Sequence, residues 1–121
     1  MRSARWNEQR SEQRVSEQWV DVCGVEEIDA EDVVRFDHDG RTFAIYRTVD
    51  DCFYATDGLC THARVHLADG LVSGTTIECP KHNGRFDVIT GRAKGAPATV
   101  DLGCHEVRVA AQRVQLQVRL P

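Results

Sequence analysis

Residues 59–87, LCTHARVHLADGLVSGTTIECPKHNGRFD, contain two short pairs of side chains that commonly bind metals. The first pair is Cys60-x-His62 and the second is Cys79-x-x-His82, with sixteen residues between them. Each pair follows a short strand-like segment, and the turn-rich spacer predicts a small hairpin that places the two loops side by side. Two thiolates and two imidazoles are therefore offered to one centre. This donor set suits zinc, or a [2Fe–2S] cluster with two Cys on one iron and two His on the other.

The way the four ligands are divided between the loops helps to separate these two metals. Zinc sites of the Cys₂His₂ type group Cys with Cys and His with His along the chain. Here each loop contributes one of each, so that the two loops together can give one iron both thiolates and the other both imidazoles. Four such residues in two turn-set pairs are too specific an arrangement to be read as buried cysteines and surface histidines.

Outside the ligand loops, the sequence favours β-strands joined by tight turns. Asp39-Gly40 and Gly74 each lie between β-rich segments and predict hairpins, because Gly supplies the positive φ that such turns need. Phe43 and Ile45 alternate with more polar positions, which predicts that one face of their strand is core. Strands are also predicted at residues 19–23, 52–56, 85–88, 100–102, 106–110 and 114–118. Because no sustained 3.6-residue apolar stripe follows Trp19, the sequence predicts an all-β, antiparallel domain.

Length and charge limit the class of protein. A chain of 121 residues can bury the core of one domain, and we predict a flexible tail over residues 1–17 and the domain over 18–121. The net charge of -4 and the pI of about 5.7 argue against nucleic acid or an anionic membrane as a partner. No stretch approaches the roughly 20 apolar residues of a membrane span. Five cysteines without a disulfide framework indicate a reducing compartment, so that a cytoplasmic location is expected.

The mixed pairing of Cys60 and His62 with Cys79 and His82 resembles the Rieske [2Fe–2S] family, whose pattern is C-x-H, a spacer of similar length, and C-x-x-H. More narrowly, the chain resembles the Rieske ferredoxins of ring-hydroxylating oxygenases. That resemblance implies an antiparallel β-sandwich with a small cluster-binding subdomain at about residues 57–88. It also implies that the two cysteines bind the inner iron and the two histidines bind the outer iron through Nδ1. The implied partners are an NAD(P)H-dependent flavoprotein reductase and a terminal oxygenase.

Four residues differ from the high-potential respiratory branch of the family. That branch joins its two loops by a disulfide, and Val65 and Lys81 stand where its cysteines would be. It also has a Ser and a Tyr whose hydroxyls donate to cluster sulfur, and Gly84 and Phe86 stand there instead. Because donors to sulfur stabilise the added electron, their loss predicts a potential at the low end of the Rieske range, roughly −150 mV.

The remaining residues of the two loops are expected to lie at the rim of the site. Arg64 and Lys81 are basic in an acidic chain, which suggests that they dock acidic groups of a partner. His66 matches neither ligand pair and is interpreted as a rim residue.

The rest of the sequence has no motif for a flavin, a nicotinamide or a catalytic triad, which favours an electron carrier over an enzyme. The alternatives are a Rieske-fold subunit of a reductase, such as the small subunit of assimilatory nitrite reductase, and a structural zinc or iron-sensing module.

Overall fold

The computed structural model describes residues 17–119, and its regular structure consists of strands and two short 3-10 helices. The ten strands are β1 (Glu17–Gly24), β2 (Asp32–His38), β3 (Arg41–Arg47), β4 (Phe53–Asp57), β5 (Leu71–Ser73), β6 (Thr76–Glu78), β7 (Arg85–Asp87), β8 (Cys104–His105), β9 (Val107–Ala110) and β10 (Arg113–Arg119). The helices are η1 (Val25–Glu27) and η2 (Leu67–Asp69). The predicted all-β class is confirmed.

The strands form three antiparallel sheets. Their orders are β1-β10-β9, β2-β3-β4-β8 and β5-β6-β7. The first two sheets enclose one core, whose buried residues are Ile28, Phe43, Ile45, Ala55, Val114, Leu116 and Val118. The β5-β6-β7 sheet carries the segment between the two predicted ligand pairs and packs over a second core. This arrangement is the expected β-sandwich with a smaller sheet beside it.

Strand β3 separates the two cores. Phe43 and Ile45 belong to the core under the β1-β10-β9 sheet, whereas Ala44 and Tyr46 belong to the core under the ligand loops. All four side chains are 0% exposed. The alternation in the sequence predicted one buried face for this strand, but both of its faces are buried. The sequence pattern did not show this because Ala44 and Tyr46 are less apolar than the residues of the other face.

The tight turns follow the predicted chemistry at two hairpins. Asp39 and Gly40 have φ values of 51° and 77°, which are the left-handed values that a two-residue hairpin turn requires. Gly74, with φ 62°, joins β5 to β6. Between β9 and β10 the same turn is made by Ala111 and Gln112, with φ values of 52° and 66°.

One predicted strand is wrong. Residues 100–102 form no strand, and the paired residues lie just after them, in β8. The side chain of Asp101 accepts a hydrogen bond from the Ala93 amide at 2.8 Å, and the Leu102 amide donates to the Gly91 carbonyl at 2.8 Å. Residues 100–102 therefore make hydrogen bonds to the preceding loop instead of pairing with a neighbouring strand.

The N-terminal tail predicted for residues 1–17 lies outside the described residues, apart from Glu17, the first residue of β1. Within residues 17–119, none of the helices is long and apolar enough to cross a membrane.

Candidate metal centre

The two ligand loops are closed by the same backbone hydrogen bond. The Cys60 amide donates to the Val65 carbonyl at 2.9 Å, and the Cys79 amide donates to the Gly84 carbonyl at 2.7 Å. In both loops the acceptor lies five residues after the cysteine. Each loop also turns through left-handed backbone, at Arg64 (φ 54°) in the first loop and at His82 (φ 61°) in the second. The two loops therefore present their side chains from similar turns.

The predicted ligands lie close together, and their burial ranges from the fully buried cysteines to the exposed His82. Cys60 and Cys79 are 1% and 0% exposed and belong to the core between β3 and the β5-β6-β7 sheet. The ligand atoms of Cys60, His62 and Cys79 all lie within 4.8 Å of one another. His82 is exposed and is not in that group, but its ring centroid lies 6.2 Å from the His62 ring centroid. The structure thus brings three of the four predicted ligands together and places the fourth, His82, beside them.

Hydrogen bonds define which nitrogen of His62 is available to a metal. Its Nε2 lies 2.9 Å from the Lys81 carbonyl oxygen, which can only accept, so Nε2 carries the proton. In a neutral ring this leaves the lone pair on Nδ1, which lies 2.7 Å from Cys60 Sγ. The geometry thus presents Nδ1 of His62 toward the thiols.

The buried Cys79 thiol requires a positive charge nearby in order to ionise. Desolvation raises the pKa of the Cys79 thiol to about 11, although the Lys81 amide, 3.4 Å from Cys79 Sγ, lowers it in part. A coordinated cation supplies the missing charge and removes the thiol proton. Two buried thiols and two less buried imidazoles, one of each per loop, fit a [2Fe–2S] cluster ligated by two Cys and two His.

Gly84 is a position where the site leaves no room for a side chain. A Cβ at residue 84 would lie 2.5 Å from Cε1 and 2.9 Å from Nδ1 of His62. His62 is in turn held by its bond to the Lys81 carbonyl. The Gly84 that the sequence marked only as a missing hydroxyl is thus also required for the placement of the His62 ring.

The three residues expected at the rim differ from one another. Arg64 and Lys81 are exposed, as predicted. The interpretation of His66 as a rim residue is wrong, because His66 is only 6% exposed. Its ring is turned inward, where it bonds to the Ala68 amide and the Thr42 hydroxyl.

A third segment of the chain reaches the site and was not identified from the sequence. The Thr61 hydroxyl donates to the Val100 carbonyl at 2.6 Å, which ties the first ligand loop to the loop before β8. The Val100 side chain remains 61% exposed and lines a cavity with Cys60 and Arg64. The irregular sequence of residues 90–100 gave no periodic signal from which this contact could be predicted.

No disulfide links the two loops. All five cysteines lie within the described residues and are free, and Val65 packs against the core that contains Cys60 and Cys79. The two loops therefore bring Cys60, His62 and Cys79 into one cluster, with His82 beside it, and carry no cross-link.

Comparison with known proteins gives the family. The Rieske [2Fe-2S] domain matches residues 18–109. The ferredoxin component of the naphthalene 1,2-dioxygenase system of Pseudomonas aeruginosa is 41% identical over 104 residues, which cover 86% of this chain and 99% of that protein. A chain in the solved complex of reduced oxygenase and oxidized ferredoxin in carbazole 1,9a-dioxygenase has a TM-score of 0.79 and 36% identity, covering 85% of this chain and 95% of its own.

A more distant likeness concerns the alternative function. A protein from Mycobacterium tuberculosis described as an NADH-dependent nitrite reductase small subunit has a TM-score of 0.76. It is only 18% identical, over 84% of this chain and 95% of that chain, so that the likeness shows the fold alone.

The chain belongs to the Rieske [2Fe-2S] domain family, and the predicted family and cofactor are confirmed. It is an electron carrier, and like these relatives it is an electron-transfer component rather than a catalytic enzyme.

We expect Gly84→Ser to lower the cluster content rather than simply to add a hydroxyl donor, because the new Cβ must displace the His62 ring. Iron and acid-labile sulfide per chain, with the visible absorbance, measure this. Gly74→Ser is the matched control: a Cβ at Gly74 meets nothing within 4 Å, so that only backbone strain of about 1–2 kcal/mol is added. Equal cluster content in Gly84→Ser and wild type would contradict the packing argument.

Proposed function

We propose that this chain is the ferredoxin component of a multicomponent oxygenase, taking one electron at a time from an NAD(P)H-dependent flavoprotein reductase and delivering it to a terminal oxygenase. The observation that supports this most directly is the placement of Cys60, His62, Cys79 and His82 at one end of a small domain, with one imidazole exposed. The cytoplasm is the proposed compartment, supported by the free thiols.

The four residues divide into two roles. We assign Cys60 and Cys79 to the inner iron, since both are buried in the core. We assign His62 and His82 to the outer iron, and the lone pair on His62 Nδ1 supports ligation through that atom. The cluster, when bound, supplies a one-electron couple.

His82 offers a short route for the electron between the centre and a partner. It is exposed and adjoins the His62 ring, whereas the cysteines are covered by protein. A partner that packs against this tip can contact the imidazole directly. The two loops therefore also form the docking surface.

The charge distribution supports an acidic partner. Residues 58–100, which include both ligand loops, have five Lys or Arg and three Asp or Glu, whereas residues 17–57 have twelve Asp or Glu and three Arg. Arg64 and Lys81 lie exposed in the ligand loops themselves. This asymmetry would orient the ferredoxin so that its ligand loops approach an acidic surface first.

We further propose a low reduction potential. Gly84 has no side chain and Phe86 is a buried hydrocarbon with 0% exposure, so that neither position offers a hydroxyl to cluster sulfur. Fewer donors to sulfur leave the reduced state less stabilised.

The small subunit of a nitrite reductase is the less favoured function. Its support is limited to the shared fold, whereas the complete set of four ligands is what a carrier needs. We therefore keep the ferredoxin function as the proposal.

His82→Ala is expected to abolish the rhombic electron paramagnetic resonance signal of the reduced protein, because the outer iron loses one imidazole ligand. The spectrum of dithionite-reduced protein, together with its iron content, is the measurement. His38→Ala is the control, since His38 lies at the β2–β3 turn and pairs with Asp39. A wild-type protein that is colourless and binds zinc, or a His82→Ala protein with an unchanged signal, would refute the proposed ligation.

Reversal of both basic residues, Arg64→Glu with Lys81→Glu, is expected to slow electron delivery to the terminal oxygenase by roughly ten- to hundredfold at low salt, through loss of electrostatic steering. Stopped-flow reduction of an oxygenase by the reduced ferredoxin measures the rate, and the difference should shrink at high salt. Arg108→Glu with Arg113→Glu carries the same charge change in the β1-β10-β9 sheet. If both double variants slowed electron transfer by a similar factor, the net charge of the protein, and not Arg64 and Lys81 in the ligand loops, would control the encounter.

Phe86→Tyr is expected to raise the midpoint potential from its low value by roughly 40 mV, which corresponds to one hydrogen bond of about 1 kcal/mol for a one-electron couple. A redox titration of both proteins measures the change. Phe36→Tyr adds the same hydroxyl to the other core and should leave the potential unchanged. A strongly positive midpoint in the wild type would contradict the low-potential proposal.

A further inference from the structure

His66 is a buried imidazole that the metal centre does not use. It is 6% exposed and lies four residues after His62. Within residues 17–119, the clustered group of potential metal-binding atoms contains Cys60, His62 and Cys79 but not His66. Both of its ring nitrogens nevertheless have partners. The ring therefore has a role that ligation does not explain.

The hydrogen bonds of His66 fix its tautomer. The Ala68 amide donates to Nδ1 at 2.9 Å, which places a lone pair on that nitrogen. In a neutral ring the proton then lies on Nε2, which donates to the Thr42 hydroxyl oxygen at 2.8 Å. Desolvation lowers the pKa of His66 from its usual value, which favours this neutral form.

The same direction of donation continues through Thr42 into strand β2. Because the Thr42 oxygen accepts from His66, its own proton is free to be donated to Asp37 Oδ1, 2.6 Å away. Arg35 Nε in turn donates to both oxygens of the Asp37 carboxylate, at 3.1 and 3.2 Å. One continuous chain of hydrogen bonds thus runs from the end of the first ligand loop to the sheet beneath it.

Backbone hydrogen bonds at the two ends of the first ligand loop also lead to Thr42. The Gly58 amide, just before the loop, donates to the Thr42 carbonyl at 3.0 Å, and the Leu67 amide, just after the loop, donates to the Gly58 carbonyl at 2.8 Å. A Cβ at Gly58 would lie 2.5 Å from His66 Nε2, so that the ring fills the space a side chain would need. Both ends of the loop are therefore fastened to one residue of β3.

We propose that His66 is a positioning residue: through Thr42 it fastens the first ligand loop to strands β2 and β3 and so fixes Cys60 and His62 relative to the rest of the centre. This inference rests on the ligand roles assigned above. His66 acts by holding the loop in place. Its imidazole makes two directed hydrogen bonds, and it neither binds the metal nor transfers a proton.

Thr42→Val tests this role, since it removes the hydroxyl and keeps the shape of the side chain. In the intact holoprotein, amide hydrogen exchange in residues 59–67 should accelerate by roughly five- to tenfold relative to residues 71–78, the factor that one ordinary hydrogen bond is worth. The resonance spectrum of the reduced protein should broaden as the ligand geometry becomes less uniform. Thr42→Ser retains the hydroxyl and should restore both properties.

His66→Asn tests the same link from the other side. An Asn oxygen can still accept from the Ala68 amide, whereas its shorter side chain no longer reaches Thr42, so this variant should behave like Thr42→Val. Thr56→Val is the matched control: it makes the same change at a threonine that is fully buried, whereas Thr42 is half-buried, and the Thr56 hydroxyl bonds to Tyr46 at 2.8 Å on strands β3 and β4. It should lower global stability without a selective change in loop exchange or in the spectrum.

Unchanged loop exchange and an unchanged spectrum in both Thr42→Val and His66→Asn would overturn the proposal. A failure of Thr42→Ser to restore the wild-type values would do the same, because the effect would then come from packing. These results can be separated from the proposed function. Absence of the rhombic signal in the wild type would refute the cluster ligation. The hydrogen-exchange data would still report on the bond between His66 and Thr42.

Discussion

Burial of strand β3 on both faces is the constraint on which the rest of the structure depends. One face packs against the β1-β10-β9 sheet and the other supports the core that contains Cys60 and Cys79. A strand with two buried faces is held in position by both cores, and close packing leaves it little freedom to shift. The ligand loops can therefore lie at the end of the domain and still be fixed, because they are attached to its most constrained strand.

From that strand outward, the side chains pass from apolar to polar across the site. The two thiols lie in the core, His62 is half-buried, and His82 is exposed. Desolvation raises the pKa of the Cys79 thiol, so its thiolate form needs the positive charge of a metal nearby. His82, the exposed member of the set, is the side chain that a partner can contact directly.

The sequence was sufficient for the features that depend on local chemistry. The clustering of Cys60, His62 and Cys79, the Asp39-Gly40 turn and the two-residue alternation of β10 were each predicted from the sequence. It was insufficient where distant segments decide the outcome. The inward turn of His66 depends on Thr42, and the irregular path of residues 100–102 depends on bonds to Gly91 and Ala93. These contacts join residues eight to twenty-four positions apart, which periodicity does not encode.

The absence of a cross-link between the loops explains why so many weak contacts converge on the first of them. In the respiratory branch a disulfide ties the loops together, whereas here Val65 packs into the shared core and Lys81 is exposed. The first loop is instead held at its base by the Gly58 and Leu67 amides, at its end by His66, and at its outer side by the bond from Thr61 to Val100. Each of these bonds contributes only about 1 kcal/mol, but together they restrain the loop at three points. Such anchoring leaves His82, Arg64 and Lys81 uncovered, as the proposed exchange of electrons with two partners requires.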